Sequence, residues 1–308
     1  MRVLVTGASG FVGAAVATAL ADRGDAVVGL GRREHGWAHP GGTYVQRDLL
    51  ASIDDLGAFD AVVHAAALAD DWAPLGLAMR VNRDGALAIA RATGTARFVH
   101  VSSASVYDAS APTVLGRERT PLPRRFLSSY SASKAAAERA LAGRASAILR
   151  PHAVYGPGDT TLLPRVLEAR RGRVLPLPGG GRALHTLTHI DTLVAAVVRA
   201  VDAQGELGTV NVGDAPAMAL VDVITRVLDA RGESVRIVPV PLRAAWALAT
   251  AAERRALAAG RHSVRGRPRL TRYAVSQVGM ERTLDLTRMR GRLGLEPRPV
   301  DLTGAAAW

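Results

Sequence analysis

Short runs of Val, Leu and Ala alternate along the first 150 residues with stretches whose apolar side chains recur every three or four positions. The short runs are Arg2–Thr6, Ala26–Leu30, Tyr44–Arg47, Ala61–His64, Arg97–Val101 and Ala147–Leu149. Their apolar residues are continuous rather than alternating, as expected of strands buried on both faces. Between them, Phe11–Asp22, Leu75–Thr93 and Ser131–Ala142 read as amphipathic helices. Strands alternating with helices predict an α/β fold, a parallel sheet covered on both sides. After Pro151 the texture changes. Gly- and Pro-rich loops appear at Tyr155-Gly-Pro-Gly158 and Leu177-Pro-Gly-Gly-Gly-Arg182. Helical patterns return over Ile190–Val201, Leu220–Ala230 and Leu242–Ala259, the last apolar in its first half. The pattern divides the chain into 1–150 and 151–308, with segments of the second part returning to the sheet.

Composition adds limits. The 308 residues are 48% hydrophobic and contain no cysteine, so disulfides, thiol catalysis and thiolate metal sites are excluded. No apolar run approaches the ~18 residues of a membrane span, and no signal-peptide pattern precedes the first strand. The expectation is a soluble, cytoplasmic protein with no stable membrane insertion. The net charge of +12 invites a nucleic-acid reading. Its arginines are scattered, however, and lack interleaved aromatics, so no nucleic-acid partner is expected. The densest stretch, Arg261 to Arg272, reads as a solvated loop or as an attraction for anionic substrates or membrane surfaces. His35 and His39 have helical spacing but no carboxylate motif around them, and no metal site is expected.

Three groups of residues carry candidate chemistry. Gly7, Gly10 and Gly13 follow the first strand and open the first helix, where a tight turn and a helix N-terminus can receive a pyrophosphate. The second strand ends at Arg32-Arg33, where an NAD site usually carries a carboxylate for the ribose 2′-hydroxyl. Arginines there suit a 2′-phosphate, which makes NADP the first choice and NAD the second, although Arg32 and Arg33 also fit ordinary exposed positions in an arginine-rich chain. Thirdly, only one of the 39 Lys and Arg residues is lysine: Lys134, four positions after Tyr130. A compact ammonium on the same helical face as a phenol would stabilise the phenolate and pull its pKa from about 10 toward neutrality. Alone, the spacing also fits a surface tyrosine and a chance lysine.

The ordered set of motifs resembles the extended short-chain dehydrogenase/reductase family, also called the NAD-dependent epimerase/dehydratase family. It comprises Gly7/Gly10/Gly13, Asp48-Leu49, His64-Ala-Ala-Ala67, Val101-Ser-Ser103, Tyr130-x-x-x-Lys134, Arg150-Pro151, Tyr155-Gly-Pro-Gly158 and His189-Ile-Asp191. The resemblance covers essentially the whole chain. It implies a Rossmann-like, doubly wound dinucleotide-binding domain with a smaller C-terminal substrate-binding lobe. Its catalytic residues would be Ser103, Tyr130 and Lys134: Ser103 bonds the substrate oxygen, Tyr130 transfers the proton, and Lys134 holds the nicotinamide ribose. The cofactor would meet Gly7, Ser9, Gly10, Phe11, Val12, Gly13, Asp48, Leu49, Ala65, Ala66, Ala67, Asn82, Ser102 and Pro151, with Arg32 and Arg33 at the adenosine end and Tyr130 and Lys134 at the nicotinamide. A homodimer built on Leu75–Thr93 and Ser131–Ala142 is also implied.

Two departures narrow the chemistry. Dehydratase members carry Asp-Glu after the catalytic Ser or Thr, whereas this chain has Ala104-Ser105. Sugar-nucleotide enzymes usually place an arginine where this chain has His185, with Arg182 three residues earlier. The stretch Ala66–Trp72 and the segment Leu270-Thr-Arg-Tyr273…Leu293-Gly294 resemble the branch near 3β-hydroxysteroid dehydrogenases and dihydroflavonol reductases. The expectation is an NADPH-dependent reductase or alcohol dehydrogenase acting on a fairly apolar small molecule. A nucleotide-sugar epimerase with retained NAD stands second, and a non-catalytic NADP-sensing protein third.

Overall fold

A computed structural model describes all residues except Ser52, Asp54, Asp55, Thr95, Arg261, Val264 and Arg265. Two arginines of the basic stretch at 261–272 therefore lie outside the described residues. The central sheet contains β1 (Arg2–Thr6), β2 (Ala26–Gly31), β3 (Gly42–Gln46), β4 (Ala61–His64), β5 (Arg97–Val101), β7 (Ala147–Pro151) and β12 (Gly208–Val212). All pairings are parallel, in the order β12-β7-β5-β4-β1-β2-β3. The order reverses between β1 and β4, and ligands of open α/β sheets bind in the crevice outside the strand ends at such a switch point.

The continuous apolar strands fill two layers because successive side chains point to opposite faces. Val3 and Val5 pack with Val16 and Leu20 of α1 (Phe11–Asp22) and Leu193 and Val197 of α6 (Ile190–Asp202). Leu4 and Val62 face the other way, onto Ala86 and Ile89 of α3 (Gly85–Ala92). The helix predicted over Leu75–Thr93 is α2 (Leu75–Met79), a π-helical turn at Arg80–Asp84, and α3. Its neighbour is α4 (Ser129–Ala140).

The boundary near residue 150 is crossed in both directions. Helix α6 packs on the main sheet and strand β12 forms its edge. The opposite crossing had no sequence signal: β6 (Thr113–Gly116) leaves the first half and pairs with β15 (Arg282–Leu284). These strands join β10 (Leu184–His185) and β13 (Met218–Ala219) in a four-stranded sheet of the small lobe. The rest of that lobe packs Leu175 and Leu177 of β9 (Val174–Pro178) against Leu220, Ile224 and Leu228 of α7 (Leu220–Ala230). Helices α8 (Leu242–Ala258) and α9 (Arg272–Gly279) complete it. No described helix is long and apolar enough to cross a membrane.

Candidate active site

The turn after β1 is shaped by what cannot fit there. Gly7 has φ +76°, and a Cβ on it would stand 2.8 Å from the backbone of Ala66. A Cβ on Gly13 would stand 2.1 Å from the carbonyl oxygen of Gly7. The turn, the start of α1 and the loop after β4 are therefore pressed together with no side chain between them. Gly10 is the N-cap of α1 and supplies no side-chain cap, so the helix start keeps unpaired N–H groups for an anion. A Cβ there would meet only the Gly7 oxygen, at 3.4 Å. These features fit a dinucleotide pyrophosphate.

The flanking candidates take different positions. Arg33 lies over the turn, donating from Nη1 to the Ser9 carbonyl at 2.9 Å, and both Arg32 and Arg33 are exposed. Asp48 is exposed and accepts from the Leu50 N–H at 3.0 Å, whereas Leu49 is buried against Gly85. Phe11 and Val12 are half-buried, with Phe11 approached by Gly158. Ala65 and Ala66 are half-buried at the end of β4, and Ala67 is exposed. Asn82 is buried: its Oδ1 accepts from Leu68 N, and its Nδ2 donates to the Leu68 carbonyl and to Ser133 Oγ. It ties the alanine loop to α4. Pro151 is buried at the end of β7.

Ser103, Tyr130 and Lys134 converge. Ser103 follows β5 and N-caps a 3-10 turn, accepting from Ser105 N at 3.1 Å. Its hydroxyl lies close enough to the Tyr130 phenol to oppose the rise that burial gives the phenol's pKa. Tyr130 lies in the first turn of α4, which Ser128 caps by accepting from Ser131 N. Lys134, one turn on, is 2% exposed and donates from Nζ to the Val101 carbonyl at 2.8 Å. Burial pushes the lysine down to about 8, and Glu138 opposes that shift.

One expectation is corrected. The phenol of Tyr130 is pushed up from its ordinary value, not down: burial dominates, and Ser103 and Arg165 oppose it. The Lys134 ammonium gives one of its three N–H donors to the Val101 carbonyl, and it is not among the groups that shift the phenol. A phenol protonated at neutral pH is a proton donor, the form a carbonyl reduction requires.

Behind this set lies a buried network that the motifs did not reveal. Glu138, one turn beyond Lys134 on α4, accepts from Ser102 Oγ at 2.5 Å and from Arg150 Nε and Nη2 at 2.9 and 2.5 Å. The i, i+4 spacing from Lys134 was its only sequence signal. Ser102 thus points its hydroxyl into this network. His64 and His100 stack at 5.5 Å near Lys134, and burial keeps both neutral, with His64 pushed down to about 3. His185 stacks on His152, and its imidazole is pushed down to about 4 by burial and by Arg282. Among the described residues no group of three or more His, Asp or Glu is placed to hold a metal ion.

Residues 3–213 match the model of the NAD dependent epimerase/dehydratase family. Over 100% of the chain and 95% of the relative, the sequence is 31% identical to a 4-hydroxy-2-methyl-3-oxo-4-farnesyl-3,4-dihydroquinoline-1-oxide ketoreductase of Stigmatella aurantiaca. It is 29% identical to a 3 beta-hydroxysteroid dehydrogenase/Delta 5-->4-isomerase of Mycobacterium tuberculosis, covering 96% of this chain and 86% of that one. Among solved structures it is similar to MoeE5 in complex with UDP-glucuronic acid and NAD, with 26% identity, a TM-score of 0.70, and 100% and 97% of the two chains covered.

Proposed function

The chain belongs to the NAD-dependent epimerase/dehydratase family, the extended short-chain dehydrogenase/reductases, and we propose that it is an NADPH-dependent carbonyl reductase. The observation that carries the reading is the approach of Ser103, at the carboxyl end of β5, to the Tyr130 phenol, with the buried Lys134 one turn along α4 bonded to the Val101 carbonyl of the same strand. When bound, the nicotinamide cofactor supplies or accepts a hydride. The chain's own residues do the rest. Gly7, Gly10 and Gly13 leave room for the pyrophosphate, and Lys134 offers an ammonium to the ribose hydroxyls. Ser103 and Tyr130 together donate to the substrate carbonyl, stabilising the developing alkoxide, and Tyr130 delivers the proton to it. Ser103 then donates to the phenolate that remains.

The ketoreductase and steroid dehydrogenase relatives support a net oxidoreduction. An epimerase reading draws on the structural neighbour that binds a nucleotide sugar. It is disfavoured here because His185, at the position of the diphosphate-binding arginine, is 1% exposed and carries no charge near pH 7.

The preference for NADP rests on Arg32 and Arg33, exposed at the end of β2, with Arg33 folded over the glycine turn. Hydrogen bonds to charged groups contribute about 1.5–3 kcal/mol each, so NADP should bind roughly ten- to hundred-fold more tightly than NAD. Titrating both cofactors into wild type and Arg32→Asp tests this, and the variant should reverse the order. Equal wild-type affinities would reject NADP and return weight to an NAD-retaining epimerase.

A further inference from the structure

The site contains a second phenol. Tyr273 lies in the first turn of α9, and Thr271, the N-cap of that helix, accepts from Ala274 N at 3.0 Å. The same hydroxyl donates to Asp71 Oδ2 at 2.8 Å. Asp71 is a buried carboxylate in the loop after β4, and Arg267 approaches it to 3.6 Å. The small lobe is thus fastened to the edge of the main sheet two residues from Tyr273.

The Tyr273 phenol lies within electrostatic reach of Tyr130 and beside the Ser105 and Ser131 hydroxyls, and Ser105 is itself tied to the site, its N–H donating to Ser103 Oγ at 3.1 Å. Ser131 is adjacent to Tyr130 in sequence, and Ser105 lies two residues after Ser103. The Ser105 hydroxyl is 6% exposed and makes no hydrogen bond of normal geometry among the described residues. A buried hydroxyl with no settled partner, faced by a phenol, is unusual in a native interior. Its position beside the proton donor points to a partner that arrives with the substrate. Dehydratases use this stretch for Asp-Glu; here it offers only neutral donors.

We propose that Ser105 and Tyr273 form a second oxygen-recognition pair beside Ser103 and Tyr130. The substrate is then a carbonyl compound with a further neutral oxygen close to the reacting carbon, as in a 3-oxo ester. The pair is uncharged, and Asp71 stands nearby, so a carboxylate or phosphate is disfavoured at this position. Arg282 also lies near Tyr273, but its terminal nitrogens are engaged by the carbonyls of Asp108, Ala109 and Ala111 and by Ser276 Oγ. Those nitrogens are turned to the protein's own oxygens rather than to an anion. The proposal rests on the reductase reading and narrows its substrate class.

The test compares NADPH-dependent reduction of ethyl 3-oxohexanoate with that of 4-nonanone, a ketone of matched chain length. Wild type should favour the oxo ester, and the ratio of the two kcat/KM values should fall about tenfold in Tyr273→Phe and in Ser105→Ala. Tenfold corresponds to about 1.4 kcal/mol, in line with the penalty for leaving a site's buried polar group unpaired. Phe keeps the ring and Ala the small volume, and unchanged NADPH affinity and thermal unfolding would separate this effect from misfolding. The proposal is overturned if wild type reduces the oxo ester no faster than the ketone, or not at all. A ratio within twofold of wild type in both variants overturns it equally. Tyr130→Phe, assayed alongside, separates the two claims: its retained turnover would reject the reductase site itself, whereas its loss with an unchanged ratio in the other variants would reject only the second pair.

Discussion

Replacing Glu138 with Gln removes the charge from the buried network without changing its shape. The carboxylate accepts three hydrogen bonds, two from Arg150, and the two side chains are 6% and 5% exposed. The variant leaves Arg150 as an uncompensated buried cation, and breaking a buried pair in this way costs about 3–5 kcal/mol. For 308 residues, an unfolding entropy of roughly 2.1 cal/mol/K per residue gives about 0.65 kcal/mol per degree, so Tm should fall by about 5–8 °C. A second effect separates this network from ordinary packing. Glu138 raises the Lys134 pKa, which burial holds at about 8. Without it the lysine loses its proton at lower pH. The sign for activity follows: Lys134 is useful when charged, so reductive kcat/KM is flat below the lysine pKa and declines above it. In wild type the decline should begin near pH 8, and in Glu138→Gln it should begin lower. Calorimetry and a pH profile of kcat/KM, which reports free-enzyme groups, check both. A Tm within a degree of wild type, or an unmoved alkaline limb, would refute the reasoning.

Other outcomes follow from the same geometry. Lys134→Arg should lose most activity, because a planar fork cannot occupy the enclosed space of a 2%-exposed ammonium bonded to the Val101 carbonyl; full activity on assay would make the lone lysine incidental. Ala132, Ala136 and Ala140 form a half-buried stripe on α4, which supports the proposed homodimer through α4 and α2–α3. Sedimentation at micromolar concentration should show a dimer, and a clean monomer would reject it.

Much of the sheet was legible because its strands are buried on both faces and leave continuous apolar runs. The limits of α1 were readable to the residue and those of α7 closely, since Gly10 opens α1 and Gly24 and Gly232 follow the two helices. The tight packing at Gly7 and Gly13 was legible because local spacing carries it, and so was the shared helix face of Tyr130 and Lys134, whereas Ser103 stands far from Tyr130 in sequence and was reached only through the resemblance. Long-range placement was not. β6 is a short edge strand whose partner β15 comes from the far end of the chain, and no local pattern announces that pairing. Tyr273 stands two residues from Thr271, whose bond to Asp71 joins segments that are far apart in sequence. The direction of the Tyr130 shift was misread because charge was weighed and burial was not. The lysine sits on the helical face that spacing predicted, yet its ammonium turns to a carbonyl.

The most direct measurement is single-turnover reduction by Tyr130→Phe with NADPH at saturation, beside a fluorescence titration of NADPH into the same protein. The variant keeps the ring and loses the transferable proton, so the account predicts turnover lower by roughly 10²–10⁴-fold with cofactor affinity within about twofold of wild type. Near-native turnover with intact NADPH binding would contradict it.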